Sequence, residues 1–175
     1  MARPWLFSSL VLALGCVPPP PAVEPPTPHT ARILVAENRF APAEFLGLVT
    51  AAERLRVATG GRVDLEIVPG ASWGQIRRHD LGDPQVDWAD DHFHATVYGW
   101  TDADLDIHLV PGRLPTSRAF VHTAMHELLH AIGVHHTSGN ARAIMAPSSD
   151  ASDAPLVITA EDRIAIAEAL HIPAW

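Results

Sequence analysis

The chain has no lysine. All 12 of its basic residues are arginine, set against 20 acidic residues for a formal charge of −8. Basic and aromatic residues are nowhere clustered as nucleic-acid binding requires, and an anionic membrane surface would repel the chain as a whole. Any membrane attachment must therefore come from a lipid or an apolar segment. There is one cysteine, Cys16. That excludes an intrachain disulfide and leaves the rest of the chain without a thiol for nucleophilic catalysis or zinc ligation. The apolar run near the N-terminus, Trp5 to Leu14, is too short to span a bilayer comfortably. At 175 residues and 47% apolar content, the chain can build one domain with a real core, and not comfortably two.

The first residues read as an export signal. Arg3 supplies a minimal positive region ahead of the apolar run. The run ends Leu12-Ala13-Leu14-Gly15-Cys16, which resembles a bacterial lipobox, although Leu is more usual where Ala13 stands. The resemblance implies a signal peptide over 1–15 and a lipid on Cys16. The expected location is the bacterial cell envelope, as an outer-membrane lipoprotein or at the cell surface, and otherwise secretion. Seven prolines at 18–21, 25, 26 and 28 cannot support helix or sheet. Residues 16–30 are accordingly expected to be a stiff tether ahead of a folded domain at 31–175.

Within that domain, Arg32 to Ala36 is apolar and β-branched and predicts a first strand. Phe45, Leu48, Val49, Ala52, Leu55 and Arg56 recur at helical spacing over 41–59, with Pro42 in the first turn and Gly60-Gly61 as the stop. Val63, Leu65 and Ile67 alternate with Asp64 and Glu66, as in a half-buried strand. Strand, helix and strand make a βαβ unit. Residues 71–102 hold Trp73, Trp88 and Trp100 and the run Asp87, Asp90, Asp91, His92, His94. The expectation there is a solvated loop followed by a strand over Ala95 to Trp100. A further strand is expected over Asp104 to Val110, with Leu105, Ile107 and Leu109 on one side. Thr116-Ser117 can cap a helix running to about Ile132, packed through Phe120, Val121, Ala124, Met125, Leu128, Ala131 and Ile132. A last helix, Ala160 to Leu170, starts at Thr159, with Ile164, Ile166 and Ala167 facing inward.

The long helix carries the chemistry. His126 and His130 stand four residues apart, on one helix face, where they can share a metal ion. Glu127 sits beside that pair and suits a general base acting on a metal-bound water. Gly133 can end the helix with a positive φ, so that the chain turns back and brings His136 to the same metal. Three neutral imidazoles and one open position make a catalytic zinc site. His135 competes with His136, but the Gly-x-x-His spacing selects His136. His122, one turn before His126, is expected behind the ligands or lining the substrate cleft.

His126-Glu127-x-x-His130-x-x-Gly133-x-x-His136, followed by Ile144-Met145-Ala146-Pro147, resembles the metzincin metalloproteases, closest to matrixin-like members. Thr137 after the third His, and Thr159-Ala160-Glu161-Asp162, fit that resemblance, which covers roughly 103–172. It implies an α+β fold: a twisted mixed sheet, a backing helix, an active-site helix, a Met-turn with Met145 as apolar floor, and a C-terminal helix. It also implies a zinc endopeptidase, expected to be a monomer acting on polypeptides, in which Glu127 takes the proton of a zinc-bound water. An edge strand would hold the substrate as an added strand. Matrixins often carry further structural zinc or calcium, but their ligand spacing is not recognisable in 71–102. The sole tyrosine, Tyr98, does not follow Met145, so an astacin-like tyrosine switch is not supported. Many matrixins hold a prodomain Cys at the zinc, and with Cys16 lipidated no Cys is left for that role. The alternatives are a non-catalytic zinc- or peptide-binding lipoprotein on a degenerate protease fold, and a gluzincin using Glu161 or Glu168. Against the first, Glu127 is intact; against the second, neither glutamate has the expected sequence context.

Overall fold

The computed structural model describes residues 30–70, 74–137, 142–146 and 157–175. The expected signal, the lipidation site Cys16 and nearly all of the tether lie outside them, as do residues 147–156. Strand β1, Thr30–Ala36, pairs in parallel with β2, Val63–Pro69, along its whole length. Between them runs α1, Pro42–Ala58, with Pro42 in the first turn and the backbone N–H of Ala41 donating to Glu44 Oε2 at 2.7 Å. Gly60 and Gly61, at φ of +61° and +79°, turn the chain out of the helix. This βαβ unit is as the periodicity predicts. Val63, Leu65 and Ile67 are buried, while Val49 and Arg56 of α1 are exposed and Leu48, Ala51, Ala52 and Leu55 form its inner face.

The stretch that reads as loop holds three elements. Strand β3, Ile76–Arg78, inserts beside β1; α2 runs over Pro84–Phe93; β4 is Gly99–Thr101, shifted from the expected 95–100. Asp83 caps α2 by accepting from the Gln85 N–H at 3.0 Å, Pro84 occupies the first turn, and Val86 and Ala89 are fully buried. The expected strand over 104–110 shortens to β5, Ile107–Leu109, because Leu105 takes a φ of +65° in a turn and is exposed.

The sheet order is β2-β1-β3-β5-β4, parallel except for the antiparallel β4–β5 pair. The fold is α+β, a five-stranded mixed sheet with four helices among the described residues. Alternation along the strands separates two apolar layers. Leu34, Ala36, Leu65, Ile76, Ile107 and Leu109 join the main core with α1 and the long helix α3, Ser117–His130. Trp100 joins Val86, Ala89, Val97 and Val110 in a smaller cluster under α2. Helix α1 meets α3 closely at Gly47, where a Cβ would stand 2.6 Å from the Phe120 ring. Arg32 reaches from β1 to donate to the Ala131 carbonyl at 2.9 Å, placing a cation at the C-terminus of α3. Helix α4 is Ala160–Ala169. Ile166 and Ala167 are buried, but Ile164 is exposed, because Asp162 occupies the inward position one turn before Ile166. No described helix is long and apolar enough to cross a membrane.

Candidate metal centre

Helix α3 begins at Thr116, whose hydroxyl accepts from the Ala119 N–H at 3.1 Å. Its seven expected core positions, Phe120, Val121, Ala124, Met125, Leu128, Ala131 and Ile132, are all buried. That packing fixes the helix's rotation and carries His126 and His130 to the same place. The helix ends at His130, two residues before the expected end. Gly133, at φ of +90°, and the Val134 N–H donating to the Leu129 carbonyl at 3.0 Å reverse the chain. His136 returns from that reversal.

The three Nε2 atoms form a triangle: 3.0 Å between His126 and His130, 3.1 Å between His130 and His136, and 3.2 Å between His126 and His136. The outer nitrogens fix the tautomers. His126 Nδ1 donates to the Ile144 carbonyl at 2.6 Å and His130 Nδ1 to the Val134 carbonyl at 2.8 Å. Their Nε2 lone pairs therefore point inward. Burial lowers the pKa of all three rings, that of His126 to about 3, so they stand neutral, as ligands must. The lone pairs of His126 and His130 converge at 3.0 Å with no proton between them, an arrangement that a cation at the centre of the triangle would relieve. The donor set thus fits a metal ion, and among the described residues it is the one group of three or more potential ligands whose donor atoms all converge on one point. His135 is exposed and outside the triangle.

Glu127, the residue after His126, is buried, with its pKa pushed up to about 8 by burial and opposed by a hydrogen bond from Thr101 Oγ1 to Oε2, 2.9 Å long. Met145 is fully buried in the turn 143–146. Its carbonyl accepts from the N–H of Thr137, the residue after His136, at 2.9 Å. His122 does not line a cleft: it is 1% exposed, and burial lowers its pKa.

Two features escaped the sequence reading. Asp162, fully buried on α4, accepts from the backbone N–H groups of Ile144 at 3.0 Å and Met145 at 2.9 Å. It also accepts from Thr159 N and Oγ1 at 2.8 and 2.9 Å. One carboxylate therefore holds the Met145 turn, and that turn holds His126 through the Ile144 carbonyl. Thr159-x-x-Asp162 was the available signal, a capping box whose acid serves a second segment. The other feature is a hydrogen-bonded chain, Asp83–His79–His108–Asp102, whose two rings are buried and stacked on Trp100, with ring centroids 4.5 Å apart at His108. The residues singled out between 87 and 94 lie elsewhere. Asp90 pairs with Arg113 at 2.6 Å, and His92 stacks on Trp88 at 4.9 Å.

No protein-family model matches the chain, and no curated protein matches it significantly.

Proposed function

We propose that the chain is a zinc-dependent endopeptidase of metzincin type, closest in pattern to matrixin-like enzymes. The observation that carries this reading is the triangle of Nε2 atoms, with the buried Glu127 next to His126 in the chain. His126, His130 and His136 are the metal ligands. A zinc ion held there would supply Lewis-acid activation of water and of the scissile carbonyl, and its charge would draw Glu127 back toward the ionised form. Glu127 then accepts the proton of the attacking water and delivers it to the leaving amine. The tight turn bearing Met145, tied to His126 and Thr137 by backbone carbonyls, and the mixed sheet with its two long helices are compatible with the family assignment.

Strand β4 ends the sheet and lies against α3, so it is the edge on which an extended polypeptide would be added. That mode grips backbone rather than side chains and suits a peptide substrate. The reading extends to export and to lipid anchoring through Cys16. Metabolic labelling with palmitate, lost in Cys16→Ala together with membrane fractionation, is its check.

The test of the activity uses the full chain loaded with zinc, wild type and Glu127→Ala, with an unfolded protein and a mixed peptide library. Cleavage by wild type that a chelator blocks, and that Glu127→Ala lacks while retaining its zinc, is expected. Hydrolysis that persists in Glu127→Ala, or no cleavage by folded, zinc-loaded wild type, overturns the proposal and leaves a metal-binding module.

A further inference from the structure

Alternation along β4 turns Trp100 toward α2 and Thr101 toward α3, where its hydroxyl meets Glu127. Thr101 Oγ1 lies 2.9 Å from Glu127 Oε2 and 3.2 Å from the Glu127 carbonyl oxygen. The approach is close because Gly99, two residues earlier on the same face, has no side chain: a Cβ there would stand 3.1 Å from Thr123 Cγ2 on α3. A three-residue strand at the end of the sheet is thus drawn against the helix that carries the base.

We infer that Thr101 is the positioning residue of Glu127, holding Oε2 so that Oε1 is the oxygen that takes and gives the proton. The inference rests on the endopeptidase reading above. A general base passes through two protonation states, and a buried carboxylate must be satisfied in both. With Glu127 ionised, the Thr101 hydroxyl donates to Oε2. With the proton on Oε1, Oε2 remains an acceptor and the same bond persists. Should the proton reside on Oε2, that oxygen donates to Thr101 and the hydroxyl turns its own proton to the Glu127 carbonyl oxygen. No heavy atom moves in any of these states, so the carboxyl group keeps its aim through proton uptake and release. The residue that does this sits on the strand where the reading seats the peptide, which ties substrate docking to the orientation of the base.

The test uses the full chain, loaded with zinc, as wild type, Thr101→Val and Thr101→Ser. Valine keeps the shape and removes the hydroxyl; serine keeps the hydroxyl. The expected result is a ~10-fold loss of kcat in Thr101→Val with KM within about twofold, unchanged zinc stoichiometry, and recovery to within about threefold in Thr101→Ser. Wild-type kcat in Thr101→Val, or an equal fall in Thr101→Ser, overturns the inference, since bulk and not the hydroxyl would then matter. A second measurement is independent of turnover: thermal midpoints of metal-free wild type, Thr101→Val, Glu127→Ala and the double variant, each single change removing one partner of the hydrogen bond. Non-additive shifts are expected from a direct contact. Additive shifts overturn the contact. If wild type cleaves nothing, the endopeptidase reading fails and the catalytic role of Thr101 with it, whereas coupled midpoints would still show that the two side chains touch.

Discussion

His79 Nε2 lies 2.9 Å from His108 Nδ1, and each ring's other nitrogen meets a carboxylate, Asp83 at 2.9 Å and Asp102 at 3.2 Å. Both rings are buried. Each contact in this chain needs a donated proton, and a neutral imidazole carries one. The longest contact is His108 to Asp102, and burial lowers the His108 pKa, which favours a neutral ring that does not depend on the Asp102 charge. Asp102→Asn should therefore be tolerated. Its oxygen can still accept from the N–H groups of Asp104 and Asp106, while its amide donates to His108. Its thermal stability at neutral pH is expected within about 1 kcal/mol of wild type, against a loss of about 2–4 kcal/mol in His108→Leu, which strands His79 and breaks the stack on Trp100. Equal losses in the two variants would contradict this account.

The choice of third ligand separates two adjacent histidines. His136→Ala is expected to weaken zinc binding by about 100-fold or more, whereas His135→Ala stays within about threefold of wild type, since even groups behind a ligand are worth 10–100-fold. Equilibrium dialysis against zinc measures both. The reverse order would move the site to His135.

Half-buried His126 and buried Glu127 set opposite pH slopes in the metal-free protein. Burial lowers His126 from 6.5 to about 3 and raises Glu127 from 4.5 to about 8. Between pH 3 and 6.5 the unfolded chain holds more protons at His126, so that contribution to stability rises with pH. Between pH 4.5 and 8 the folded chain holds more protons at Glu127, so that contribution falls as pH rises. From these two groups, stability should be greatest between pH 4.5 and 6.5, where the slopes cancel. Thermal midpoints followed across this range should show Glu127→Gln losing the alkaline decline and keeping the acid one. A variant that declines between pH 6.5 and 8 as steeply as wild type would remove Glu127 as the cause.

Asp162→Ala removes the acceptor of four donors and frees the turn that holds His126. The expected cost is about 3 kcal/mol or more, roughly 6–12 °C in Tm for a domain of this size. Zinc affinity should fall as well, although Asp162 touches no ligand. A thermal midpoint near wild type would show that the turn is held by other contacts.

Much of this molecule follows from local pattern. The βαβ unit, the packed face of α3, the Thr159 cap and the spacing of His126, His130 and His136 are periodic or short-range features. A helix repeats its own geometry, and a glycine reverses the chain within a few residues. What lay between 71 and 102 was masked by composition. Trp88, His92 and the aspartates give α2 a mixed outer face, and Val86 and Ala89 are too few to announce its inner one, although Asp83-Pro84 marked its start. Strand β3, Ile76-Arg77-Arg78, has no periodicity to read, because it is three residues long and is stabilised by neighbours on both sides. Only the tertiary structure decided that Asp162 braces the Met145 turn across 18 residues, that Thr101 meets Glu127 across 26, and that His79 meets His108 across 29. Each of these is a hydrogen bond whose partner is supplied by packing, and packing depends on which faces of the sheet α2 and α3 cover, which no local spacing encodes.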